Sequence, residues 1–203
     1  VVLTASQKAI GVPPGLALLV ASNNAMRAFE QRKSPVANYY GDWANWLPIM
    51  KAYENKQASY FGTPPVNLIM ALEKSLQAIV KEGLDQRIDR HQRAGKAMRA
   101  ALKAIGLEVL SKNEDIASNT LSAPYYPSQI DPSAFLQGIN EEGIVLAGGL
   151  LPELKSKYFR IGHMGSVNKG DLLATIGTIE TVLKNSGLRH ELGSGTAEIL
   201  KHF

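Results

Sequence analysis

Apolar positions at helical spacing fill the middle of this chain. Val66, Ile69, Met70, Leu72, Leu76, Ile79 and Val80 recur every three to four residues behind Thr63-Pro64, until Gly83 interrupts them. A hydroxyl cap, a proline in the first turn and a terminal glycine are the expected start and stop of a helix. The spacing predicts a second helix over about 85–105, with Ile88, Ala94, Met98, Leu102 and Ile105 on one face and Gly106 at its end. The pattern differs at 16–22, where Leu-Ala-Leu-Leu-Val-Ala-Ser runs unbroken between Gly15 and Asn23-Asn24. Such a run predicts a strand buried on both faces. Asn23 or Asn24 would cap a helix reaching about residue 32. Residues 34–55 carry Tyr39, Tyr40, Trp43, Trp46 and Tyr53 without a clear period, which predicts an ordered loop with short helical turns.

Beyond Gly106 the pattern alternates. It predicts strands at 107–110, 120–123, 144–147 and 158–161, and helices at 132–141 and 169–184. This mixture reads as an α+β domain from residue 84 to 203. The first 60 or so residues have no complete core of their own, since a doubly buried strand needs neighbours that they do not supply. No internal repeat or low-complexity segment interrupts the chain.

Composition narrows the function. At 203 residues, 45% hydrophobic and 20% charged, the chain reads as an ordinary globular protein of one or two domains. No apolar run approaches the roughly 20 residues that span a bilayer, and no signal-peptide pattern precedes Lys8, so an intracellular protein is expected. The absence of cysteine excludes disulfides and thiolate chemistry. The net charge of +4 is scattered among acidic residues, without the basic stripe and interleaved aromatics of a nucleic-acid surface. A mild positive balance suits small anionic substrates.

Three segments can carry chemistry. Lys8 lies in Thr4-Ala5-Ser6-Gln7-Lys8-Ala9, between an apolar stub and the turn Pro13-Pro14-Gly15. A lysine amine is a nucleophile once deprotonated, which burial or a neighbouring cation favours, and one held at a strand end is placed for a Schiff base. The plainer alternative is a solvated surface lysine. Tyr60-Phe61-Gly62-Thr63-Pro64-Pro65 leads into the first long helix, where free amides and hydroxyls favour a phosphate; alternatively Thr63 is a simple cap and Tyr60 packs. Arg160, in Tyr158-Phe159-Arg160-Ile161-Gly162-His163, has the planar fork that grips carboxylates. Its alternative partner is one of the chain's own acids. His163 reads as a structural histidine, and Gly148-Gly149 as a strand terminus. The four histidines show no metal-ligand spacing, so no metal is expected.

In this order and with these gaps, the segments resemble class V pyridoxal-phosphate aminotransferases of fold type I, closest to the alanine–glyoxylate and serine–glyoxylate (serine–pyruvate) enzymes. The resemblance covers essentially the whole chain but only the C-terminal half of such an enzyme. It implies an α/β fold, with 1–83 the end of the large cofactor-binding domain and its connecting helix, and 84–203 the small C-terminal domain. It implies pyridoxal 5′-phosphate as cofactor, bound covalently by Lys8 and contacted by Gln7. Tyr60 and Thr63 would reach the phosphate held in the other subunit of a homodimer, and Arg160 would clamp the substrate α-carboxylate. The reaction would be a ping-pong transfer of the amino group from alanine or serine to glyoxylate, giving glycine.

In the family, the aspartate on the pyridine nitrogen, the aromatic stacked on the ring and most of the phosphate loop lie upstream of the lysine. Only seven residues precede Lys8. The chain is therefore expected to be inactive alone and to need the missing N-terminal half. Another class V enzyme with a different donor, a lyase of that fold, or a non-catalytic fragment are the alternatives. The lack of cysteine argues against a persulfide desulfurase.

Overall fold

A short antiparallel ladder opens the chain. In the computed structural model, which describes all 203 residues, β1 (Val2–Ala5) pairs with β2 (Ala17–Val20), Val2 opposite Val20 and Ala5 opposite Ala17. The apolar run at 16–22 thus forms a strand, but not one buried on both faces: Leu19 is 51% and Val20 69% exposed. Burial on two faces requires a packed layer on each side, which the two-stranded ladder of β1 and β2 does not itself supply.

The helices that follow depart from expectation at their ends. α1 (Asn23–Glu30) is capped by Ser22, whose hydroxyl accepts the Ala25 N–H, rather than by Asn23 or Asn24. Residues 43–54 form a continuous helix, α2 (Trp43–Glu54), where short turns were expected; Asp42 caps it by accepting the Ala44 N–H. Its apolar residues are spread around the axis and Pro48 lies inside it, so neither period nor propensity reveals it. α3 (Val66–Glu82) starts only after Pro65, and the carbonyls of Pro64 and Pro65 accept its first amides. Thr63 does not cap it.

Gly83 separates α3 from α4 (Leu84–Ala104). The chain divides by its internal contacts into two units, Val1–Gln77 and Ala78–Phe203. In the first, no residue of α1 or α2 is buried. Its order comes from aromatic packing: Phe61 lies 4.8 Å from Trp46 and 5.1 Å from Tyr39, centroid to centroid, and Trp46 is edge-on to Tyr40. Each such pair adds about 0.5–1.5 kcal/mol beyond area burial.

The second unit holds the core. β3 (Leu121–Ser122), α5 (Pro132–Glu141), β4 (Ala147–Gly148), β5 (Phe159–Gly162), α6 (Lys169–Asn185) and α7 (Ser194–Lys201) follow α4. The strands form an antiparallel sheet of order β3-β5-β4, with Ala147 opposite Arg160. Met98 and Leu102 of α4, Phe135 of α5, Phe159 and Ile161 of β5, and Ile176 and Ile179 of α6 are fully or almost fully buried. Each contributes roughly 1.5–3 kcal/mol by leaving water. The strand expected at 107–110 is reduced to a bridge between Val109 and Pro124. The strand expected at 144–147 pairs only from Ala147 onward, because Ile144 and Leu146 pack on the core while Val145 is exposed, with no ladder partner for that stretch. Helix α7 has no counterpart in the sequence reading. No helix is long and apolar enough to cross a membrane.

Candidate active site

Lys8 sits on a loop closed by one buried hydroxyl. Ser6 is fully buried; its Oγ donates to the Pro13 carbonyl at 2.8 Å, its N–H bonds the Leu16 carbonyl, and its own carbonyl accepts the Val12 N–H. Inside that closure the Gly11 N–H bonds the Lys8 carbonyl at 2.9 Å, making the turn that presents Lys8. Ser75 of α3 donates its hydroxyl to the Ile10 carbonyl and ties the loop down from the other side. The Gln7 and Lys8 side chains project from this frame and are exposed. Ser6 is visible in the sequence as a hydroxyl before Lys8, but no pattern marks it as the residue that closes the loop.

Tyr60 and Thr63 are brought together. Their hydroxyls lie 2.6 Å apart, on an exposed segment that leads into α3. A hydroxyl pair bonded to itself uses one proton internally and keeps the other for an external acceptor. The aromatic cluster around Phe61 fixes the backbone between them. The Trp46 indole N–H, donating to the Tyr40 carbonyl at 2.6 Å, holds that cluster to α2.

Arg160 occupies the centre of β5, the middle strand of its sheet. Phe159 and Ile161 point into the core, so alternation turns Arg160 to the other face with Tyr158. Its Nε donates to the Gly148 carbonyl at 2.8 Å. None of the chain's salt bridges includes it, so the internal carboxylate considered as its alternative partner is not there. The two terminal nitrogens of the fork have no hydrogen-bond or ion-pair partner within the chain. By contrast Arg99, nearly buried on α4, is fully used: it bonds both Glu114 oxygens and the Ser118 carbonyl.

The buried histidines are structural. His163 Nε2 lies 2.9 Å from the Ser122 hydroxyl and Nδ1 lies 3.1 Å from the Asn119 carbonyl. That pairing fits a neutral ring with the proton on Nδ1. Burial pushes its pKa down to about 4, keeping it uncharged near neutrality. His91 accepts the Gly165 N–H on Nε2 and faces the Arg87 carbonyl with Nδ1. Gly148-Gly149 is more than a strand terminus: Gly148 supplies the carbonyl that orients Arg160, and a Cβ on Gly149 would lie 2.5 Å from the Lys155 carbonyl oxygen.

Taken one by one, the groups suit a phosphorylated aldehyde and a carboxylate: in the first unit an amine that can meet an aldehyde and hydroxyls that can meet phosphate oxygens, and in the second a guanidinium that can meet a carboxylate.

No family model matches the chain. Over 198 residues it is 36% identical to the serine–glyoxylate aminotransferase of Arabidopsis thaliana, covering 97% of this chain and 48% of the relative. Over 203 residues it is 33% identical to the L-aspartate–glyoxylate aminotransferase of Paracoccus denitrificans, covering 100% of this chain and 50% of the relative. The solved structure of pyridoxamine–pyruvate aminotransferase from Mesorhizobium loti superimposes with a TM-score of 0.87 at 28% identity, over 98% of this chain and 50% of that one. The chain spans about half the length of the curated relatives it matches.

Proposed function

Since the chain belongs to the class V pyridoxal-phosphate aminotransferases, we propose that it is the lysine-bearing C-terminal half of an enzyme that moves the amino group of alanine or serine to glyoxylate, giving glycine. In this reading residues 1–83 complete the large cofactor-binding domain and 84–203 are the small domain. The single observation that carries it is Arg160: a partly buried guanidinium, oriented through Nε and lacking any internal carboxylate. A guanidinium held in one orientation with its terminal nitrogens unpaired offers the planar fork that a carboxylate fits.

Pyridoxal phosphate, when bound, supplies the electron sink that stabilises negative charge at the substrate Cα. The chain's residues do the rest. Lys8 Nζ would hold the cofactor covalently and would move a proton at the substrate Cα. Gln7 contacts the cofactor beside it. The Tyr60–Thr63 pair donates to phosphate oxygens of the cofactor in the second subunit of a homodimer. Arg160 grips the α-carboxylate of donor and acceptor in turn, so both half-reactions share one anchor. Relatives named for serine and for aspartate share glyoxylate as acceptor. Alanine and serine are the donors proposed here because relatives named for each match the chain over most of its length.

The test joins this chain to the upstream half and adds pyridoxal phosphate. Visible Schiff-base absorption that Lys8→Ala abolishes, together with glycine formation from glyoxylate and alanine or serine, is expected. No such absorption in the complete protein, or turnover undiminished in Lys8→Ala, sinks the proposal.

A further inference from the structure

Two side chains, Arg160 in β5 and Tyr158 just before it, hold the same short loop. From Arg160 the bond runs from Nε to the Gly148 carbonyl. From Tyr158, two residues earlier, the phenol oxygen accepts the N–H of Leu150 at 2.8 Å and of Leu151 at 3.1 Å. The loop between them has little freedom. Gly148 is paired to Phe159 in the ladder, and Gly149 lies so close to the Tyr158 ring that a Cβ would come within 2.8 Å of Cε1. The Tyr158 ring is 3% exposed, roofed by this loop, whereas Leu150 and Leu151 present their side chains outward. The two backbone N–H groups hold the phenol below the ordinary tyrosine pKa, and the nearby Arg160 charge acts in the same direction.

We infer that Tyr158 is a positioning residue for carboxylate binding: by fixing Gly148–Leu151 from beneath, it fixes the carbonyl against which the Arg160 guanidinium is aimed. This rests on the reading of Arg160 as the carboxylate clamp. The chemistry is simple. A guanidinium on a flexible stem samples many orientations, and an Nε–H bond to a rigid carbonyl selects the one that presents both terminal nitrogens outward. A rigid carbonyl requires its loop to be pinned on the far side as well. Backbone pairing alone ends at Gly148, and the phenol supplies the pin for the next residues.

Tyr158→Phe removes only the acceptor oxygen and keeps the buried ring. In the 203-residue chain, amide exchange at Leu150 and Leu151 should accelerate, and the Arg160 Nε–H resonance should shift and exchange faster. In the complete enzyme, KM for both donor and acceptor should rise roughly 3- to 10-fold, the scale of one or two neutral hydrogen bonds, with kcat within about twofold. Arg160→Gln, run in parallel, separates the two ideas. If Arg160→Gln raises KM while Tyr158→Phe leaves both KM values and the Arg160 resonance unchanged, the positioning role is overturned and the clamp stands. A fall in kcat with unchanged KM in Tyr158→Phe also overturns it. Unchanged KM in Arg160→Gln overturns the clamp and this inference with it.

Discussion

The Ser6 hydroxyl donates to the Pro13 carbonyl at 2.8 Å and so closes the loop that carries Lys8. The residue giving this bond is fully buried, while the lysine it serves is exposed. Buried bonds hold their geometry against competing water, which lets an exposed amine be presented from a fixed backbone.

Ser6→Ala should loosen that loop without unfolding the second unit, whose core is separate. The Pro13 carbonyl loses its partner at a local cost of about 1–3 kcal/mol. Hydrogen exchange at Val12 and Leu16 is expected to accelerate roughly tenfold or more, while amides of α4 and α6 stay unchanged. Unaltered protection at Val12 and Leu16 would show that the closure does not depend on Ser6.

Arg160→Lys in the complete enzyme should raise KM for donor and acceptor by about tenfold or more, because an ammonium cannot reproduce two parallel bonds to a carboxylate. Turnover at saturation should fall far less. Steady-state kinetics with both substrates decide it, and equal KM values for variant and parent count against the clamp.

Glu180 is a prediction about stability alone. This nearly buried carboxylate on α6 accepts the Gly195 N–H at 2.8 Å and the Thr196 hydroxyl at 2.9 Å, and so caps α7 from a neighbouring helix. Glu180→Ala leaves two donors without a partner and should cost about 2–4 kcal/mol. Thermal unfolding should shift down by more than about 5 °C. A smaller shift would mean that α7 is held by its apolar contacts alone.

Stability should decline in two steps on acidification. His163 titrates near 6.5 when unfolded and near 4 in the fold. Between those values the unfolded chain binds more protons, so its contribution is complete above about 6.5 and is lost as pH falls toward 4. At 1.36 kcal/mol per unit the loss is about 3 kcal/mol. The Arg90 guanidinium, bonded to Glu82 and joined by Arg87, holds that carboxyl down to about 2 against an ordinary 4.5. Its stabilisation is present above 4.5 and is lost as pH falls through 2; being partly solvated, the pairs are worth less than the shift alone suggests. Denaturant unfolding from pH 7 to 2 tests both steps, with NMR titration of His163 alongside. Flat stability between pH 7 and 4, or a His163 ring that protonates near 6.5, would contradict the first.

Much of the second unit could be read in advance, because its helices bury regular faces. Residues 132–141 form a helix with those bounds, and α4 and α6 fall within a residue or two of expectation. α2 leaves no clear mark in the sequence because its apolar residues surround the axis, and α7 none because glycines at 193 and 195 weaken any local preference. Gly195 is there for packing: a Cβ would come within 2.9 Å of Ile176. Thr63 misled in another way, since a threonine before proline reads as a helix cap, yet its hydroxyl is bonded to Tyr60.

The sequence by itself determined the chemistry on offer: a lysine before a proline–glycine turn, hydroxyls before a helix, and an arginine in an apolar strand, segments that together resemble those of one enzyme family. Residue type and order fix which bonds can be made. Tertiary structure decided which of them are made: that Ser6 closes the Lys8 loop, that Thr63 faces Tyr60, and that Arg160 meets a carbonyl and no acid. The reason is physical. Hydrogen-bond partners distant in sequence are chosen by which surfaces pack together, and packing depends on the summed burial of many side chains that no local pattern records.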